Sequence, residues 1–119
     1  MTSYILTLHS SPWSSQSVAS ACDFAEALIK RGRTLKAVFL YQDAVLNGLN
    51  SLDIPSDELN GQNKLSQLHQ TYGVKLLLCV TAASKRGVDS DNLSKGFTIA
   101  GLAEFAELTS ATDKVVQFK

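Results

Sequence analysis

A chain of 119 residues has room for one domain with a real apolar core, and not for two. Its 11 basic and 11 acidic side chains cancel, so no overall field draws it to nucleic acid or to an anionic membrane. No uninterrupted apolar stretch approaches the roughly 20 residues of a membrane helix. The opening Met1-Thr2-Ser3-Tyr4 lacks the basic region of a secretory leader, so a soluble, cytoplasmic protein is expected. Cys22 and Cys79 make no disulfide framework, and neither they nor His9 and His69 have metal-site spacing. No metal and no cofactor are expected.

In chain order, Tyr4 to Leu8 is a short apolar run that reads as a buried strand, ending at His9-Ser10-Ser11-Pro12. The polar Ser14-Ser15-Gln16-Ser17 is suited to cap a helix running to about Arg31 and closed by Gly32. Val18, Ala21, Cys22, Ala25, Leu28 and Ile29 give that helix one apolar face, which makes Cys22 a packing residue. Thr34 to Tyr41 is the second strand. The connection 42–58 is long and mixes Asn47-Gly48, Asn50 and Pro55 with single apolar residues, so it is irregular or broken into short helical turns. Leu65, Leu68 and Tyr72 mark a second helix closed by Gly73, with His69 on its surface. Val74 to Val80 is the third strand, followed by a short helix ending near Arg86-Gly87 and a polar loop from Asp89 to Lys95. Ile99, Leu102, Ala103 and Ala106 outline a third long helix, and Lys114 to Phe118 a last strand.

Strands that alternate with helices imply right-handed crossovers and a parallel sheet covered on both faces. The fold expected for residues 1–119 is therefore a single α/β domain with a mostly parallel sheet. In such sheets function gathers at the carboxyl ends of the strands. His9, the loop after Tyr41 and Cys79 all fall there.

Cys79 closes the run Lys75-Leu76-Leu77-Leu78-Cys79-Val80 and precedes Thr81-Ala82-Ala83-Ser84-Lys85-Arg86. A free thiol has a pKa of about 8.5, and a helix start with nearby cations favours the thiolate. Lys85 and Arg86 are the candidate stabilisers of that anion, or else ordinary solvated charges at a helix end. Cys79 itself reads either as a nucleophile or as a small inert apolar residue. His9 is a candidate orienting residue or base for the thiol if its strand neighbours that of Cys79; otherwise it caps the first turn or faces solvent. Asp43 either hydrogen-bonds in the site or starts a turn, and Trp13 either covers the cysteine or meets a partner or the core. Without a glycine-rich loop, the Ser14–Ser17 segment makes a thin case for nucleotide binding.

Ala25-x-Ala27-Leu28-Ile29 with Gly32, Val38-Phe39-x-Tyr41, Cys79-Val80-x-Ala82-Ala83 and then Arg86-Gly87-Val88 occur in this order. Asn92-Leu93-x-x-Gly96-Phe97-Thr98-x-x-Gly101-Leu102 and Asp113-x-Val115-Val116-Gln117-Phe118 follow. Taken together, these segments make the chain resemble the DsrE family of sulfur-relay proteins over nearly its whole length. The resemblance implies a three-layer sandwich and a sulfurtransferase whose Cys79 accepts sulfane sulfur from an upstream carrier and passes it to a downstream one. It further implies same-fold partner subunits in a heterohexamer of two copies of each of three chains. Members of the family serve 2-thiolation of the wobble uridine of tRNA or dissimilatory sulfur metabolism, and some lack the cysteine and act as scaffold. Any RNA is expected to meet a downstream partner, not this chain. Two departures lie near the site. The connection from Arg86-Gly87-Val88 to Gly96-Phe97 is short, and the first turn reads His9-Ser10-Ser11-Pro12-Trp13 where a Thr-Gly-Pro type of turn is expected.

Overall fold

The computed structural model describes residues 2–12, 16–52 and 60–118. The expectations for Trp13, Ser14, Ser15 and Pro55 lie outside the described residues. The strands are β1 (Ser3–Leu8), β2 (Thr34–Leu40), β3 (Lys75–Cys79), β4 (Phe97–Ala100) and β5 (Lys114–Phe118). The helices are α1 (Ser17–Lys30), α2 (Gly61–Tyr72), α3 (Val80–Lys85) and α4 (Leu102–Ser110), with a 3₁₀ helix at Gln42–Gly48. All five strands run parallel in the order β4-β3-β2-β1-β5. The mostly parallel sheet expected from the sequence is thus wholly parallel.

The near-continuous apolar strands are buried on both faces, as parallel strands require. Ile5, Leu6 and Leu8 of β1, Ala37 to Leu40 of β2, and Leu76 to Leu78 of β3 form the centre of the core. On α1 the buried Val18, Ala21, Cys22, Ala25 and Leu28 recur at helical spacing and turn one stripe inward. Asn60 caps α2 by accepting the Asn63 N–H at 3.0 Å, and Gly73 closes it with φ 72°, a left-handed conformation that glycine adopts without steric cost.

The two faces of the sheet are covered unequally. Leu8, Leu40, Leu78 and Phe118 point to the face packed by α1 and α2, where Phe24 of α1 meets the Phe118 ring at 5.7 Å. Thr7, Phe39, Leu77 and Gln117 point to the opposite face, which α4 crosses on its way from β4 at one edge to β5 at the other. Phe105 of α4 packs on Phe39 there, ring centroids 4.4 Å apart. No residue of α4 is buried, so this face is thinly covered.

Two expectations need correction, and one left open between two alternatives is decided. Ile99 does not begin a helix; it lies in β4, paired with Leu78 across to β3. Four residues of strand followed at once by a helix leave one apolar pattern, and only pairing with β3 separates them. The long connection begins as a 3₁₀ helix, anchored by buried Asn47, whose side-chain N–H donates to the Ala44 carbonyl at 2.9 Å. Gly48 is needed there, because a Cβ would come within 2.7 Å of Leu78 Cδ2. His69 is not a free surface residue either: its Nδ1 lies 2.9 Å from the Val74 carbonyl, and its ring packs against Gly96.

Candidate active site at the carboxyl edge of the sheet

Cys79 is the last residue of β3 and the N-cap of α3, with φ −60° and ψ 122°. It leaves the strand extended and turns directly into the helix. The sequence places the thiol at a strand end; the structure adds that it is only 6% exposed. Register with β4 sets Cys79 beside the small, apolar Ala100, which is itself buried. On the other flank, Leu40 pairs with Leu78, and one step further both chains remain extended, which sets Tyr41 beside Cys79. Neighbouring strands lie about 4.8 Å apart, and residues two apart share a face. Phe39 and Leu77 face α4, so Tyr41 and Cys79 do as well.

Tyr41 is held from three sides. Its ring stacks on His9 with centroids 5.4 Å apart and planes 13° from parallel. Phe39 lies at 4.8 Å and Phe105 meets it edge-on at 5.5 Å. Burial pushes the phenol up, and negative charge on Cys79 pushes it further in the same direction. The hydroxyl therefore stays protonated through the physiological range and is available as a donor. Gln42, the next residue, has φ 47°, a left-handed turn rare for a side chain of its kind, which swings the chain from extended Tyr41 into the 3₁₀ helix. Such local strain collects at functional sites.

His9 lies at the end of β1, and β2 stands between its strand and that of Cys79. The adjacency on which a direct role of His9 depends is therefore absent, and His9 reaches the thiol's surroundings only through Tyr41. The Gln117 side-chain nitrogen is 3.1 Å from His9 Nε2. His9, Ser10, Gln42 and Gln117 line a shallow depression of about 450 Å³ at this edge.

Lys85 and Arg86 sit at the far end of α3 from Cys79, a helix of six residues and so about 9 Å long. Lys85 is exposed. Arg86 Nε donates to Asp43 Oδ1 at 2.9 Å and its Nη1 to the Ala82 carbonyl at 3.2 Å, which ties α3 to the 3₁₀ helix that follows Tyr41. Asp43 is thus both the start of that turn and a hydrogen-bonding partner. Cys22 lies on α1, across the sheet from Cys79, and burial pushes its thiol up to about 12. It packs, as its place on the apolar stripe indicates. Among the described residues no cluster of His, Cys, Asp or Glu is arranged to hold a metal ion. Sequence reasoning passed over Tyr41, Phe105 and Gln117 as site residues. For Tyr41 the signal was present: an aromatic at the strand end, two residues after Phe39.

An all-parallel α/β sandwich with a lone cysteine at the carboxyl end of β3 defines a class, and the chain belongs to the DsrE/DsrF-like family, whose model matches residues 2–118. Within it, the chain is similar to the sulfurtransferase TusD homolog of Vibrio vulnificus, 42% identical over 127 aligned positions covering 97% of this chain and 96% of that one. It is 37% identical to sulfurtransferase TusD of Klebsiella pneumoniae subsp. pneumoniae, over 97% and 98% of the two chains. The crystal structure of the ychN protein from E. coli superposes with a TM-score of 0.87 at 31% identity, covering 99% of this chain and 100% of that one. The resemblance and the fold class read from the sequence are both borne out. No helix of the described residues is long and apolar enough to cross a membrane.

Proposed function

We propose that this protein is a TusD-type sulfurtransferase subunit that carries a persulfide on Cys79 and hands it to a downstream sulfur carrier. The observation that carries the reading is a cysteine at the carboxyl end of the third strand, in a chain about as long as its TusD relatives and closely similar to them. In the transfer, the Cys79 thiolate attacks the terminal sulfur of a donor persulfide. A bond forms from Sγ to that sulfur, the donor S–S bond breaks, and the donor leaves as a thiolate that takes up a proton. The sulfane sulfur keeps its oxidation level throughout. Handing it on repeats the step with Cys79 as the leaving thiolate.

The product serves 2-thiolation of the wobble uridine of tRNA, in a cytoplasmic complex with TusB- and TusC-like subunits and a TusE-like acceptor. A heterohexamer of same-fold chains is supported by the thin cover on one face of the sheet, where Leu102 is 59% exposed. Balanced charge supports contact with RNA through a partner. Burial of Cys79 favours a second reading, a scaffold subunit in which the thiol is inert.

Cys79→Ser separates the two. With labelled sulfane sulfur and the reconstituted partners, relay through the serine variant is expected to fall to background while assembly, followed by size exclusion, stays intact. Undiminished relay with intact assembly would establish the scaffold reading instead.

A further inference from the structure

We propose that Arg86 and Asp43 are positioning residues that latch the junction of β3 and α3, so that access to Cys79 is set by whether their ion pair is closed or open. The role rests on the reading of Cys79 as a sulfur carrier. Its thiol is 6% exposed, whereas sulfur exchange requires a second sulfur to reach it, so the resting structure has to open. β3 cannot supply that movement, because it is paired with β2 on one side and β4 on the other, and Leu76 to Leu78 are buried. α3 can. Cys79 is its N-cap, so a shift of α3 acts directly on the backbone that carries the thiol. Of its six residues Ala82 and Ala83 are buried, and two side chains of one methyl group each hold a helix weakly.

What α3 lacks in packing, Arg86 supplies from its far end, where Nε donates to Asp43 Oδ1 at 2.9 Å and Nη1 to the Ala82 carbonyl at 3.2 Å. Asp43 stands on a firm base. Ala44 and Val45 beside it are fully buried, and the Gln62 side-chain nitrogen donates to the Asn47 and Leu49 carbonyls at 2.8 and 2.6 Å. The next carboxylate along the chain, Asp89, accepts from the N–H groups of Asp91 and Asn92 in its own loop. The Arg86 and Asp43 side chains are 29% and 61% exposed, and an ion pair so placed is modest in strength and weakened by salt. Buried Val88, whose N–H donates to the Ala83 carbonyl at 2.9 Å, holds the end of α3 when the pair is open. The pair therefore biases a local opening without deciding whether the protein folds. Arg86 acts on Cys79 through the helix, and not through its charge.

The test needs no sulfur donor, so its failure is distinct from failure of the relay. Iodoacetamide reaches a nearly enclosed thiol only when the structure opens, so the alkylation rate of Cys79 reports the open fraction. The rate is followed from about pH 5 to about pH 10, with peptide mapping to separate Cys79 from Cys22, the internal control. Asp43→Ala is expected to raise the plateau rate of Cys79 at high pH about threefold, with the midpoint in place and Cys22 no faster. Arg86→Gln releases the latch from the other side and is expected to do the same. A plateau that Asp43→Ala leaves unmoved or lowers overturns the proposal, even where the midpoint shifts, since that shift would assign Arg86 to the charge of the thiol instead. A rise matched by Cys22 overturns it too, because it reports loosening of the whole domain. Should Asp43→Ala not fold, Arg86→Gln is judged by the same outcomes. Should neither fold, the wild type decides: salt raised from about 0.02 M to about 0.5 M screens the pair and is expected to raise the Cys79 plateau, and an unmoved plateau overturns the latch.

Discussion

At the scale of single residues, two cysteines of similar burial have opposite surroundings. Cys79 closes a strand at the functional edge, with a phenol beside it. Cys22 sits on the buried stripe of α1 beside a polar depression; burial raises its thiol most, Lys64 opposes that push, and Asp23 and Glu26 add to it. With that thiol at about 12, its anionic fraction at pH 8 is about one part in ten thousand. Alkylation of Cys22 in the folded protein is therefore expected to stay slow up to about pH 10, and quantitative peptide mapping after timed iodoacetamide treatment measures it. Because the folded value is raised, Cys22 favours the native state fully below its unfolded pKa, and that contribution is lost as pH climbs towards 12. Rapid labelling of Cys22 at pH 8 would contradict this assignment. The sequence alone separates the two cysteines through position: one on a helix stripe, one at a strand end. It does not reveal how thoroughly Cys79 is enclosed, since that depends on the strands and helices brought around it by the fold.

At the scale of elements, the edge strand β5 is fastened to β1 by one carboxylate. Asp113 accepts from the Ser3 N–H at 2.8 Å and from the Ser3 hydroxyl at 3.0 Å. These bonds hold its pKa below the usual aspartate value, the backbone bond acting most strongly. A lowered folded pKa stabilises the native state at pH values above the unfolded pKa, and that benefit is lost as pH falls through the folded value. Asp113→Asn is expected to lower Tm at neutral pH, with the difference from wild type closing on acidification; thermal melts at a series of pH values check it. β5 matters to the site because it carries Gln117, which holds His9 against Tyr41. Most elements could be read from the sequence because apolar period and turn residues agree, as on α1 with Gly32 after it. β4 could not. Phe97 to Ala100 has strand character only by virtue of its pairing with β3, and Gly101 alone divides it from α4. The sheet order was equally hidden. Chain order gathers His9 and Cys79 at one edge, but only the interposed β2 shows that Tyr41 comes between them.

At the scale of the whole molecule, the sheet is covered well on one face and poorly on the other. α1 and α2 bury their apolar stripes, whereas α4 has no buried residue and leaves Leu102 exposed; Val115 of β5 is 47% exposed as well. The role proposed for the molecule requires one chemical event, the arrival of a sulfane sulfur on Cys79. Mass spectrometry of the intact assembly after exposure to an isotopically labelled persulfide donor, followed by non-reducing peptide mapping, observes that event directly. The peptide bearing Cys79 should gain the mass of one labelled sulfur atom, release it on reduction, and leave Cys22 unmodified. A Cys79 peptide that gains no sulfur in the presence of its partners, or label found on Cys22 instead, would contradict the proposed role.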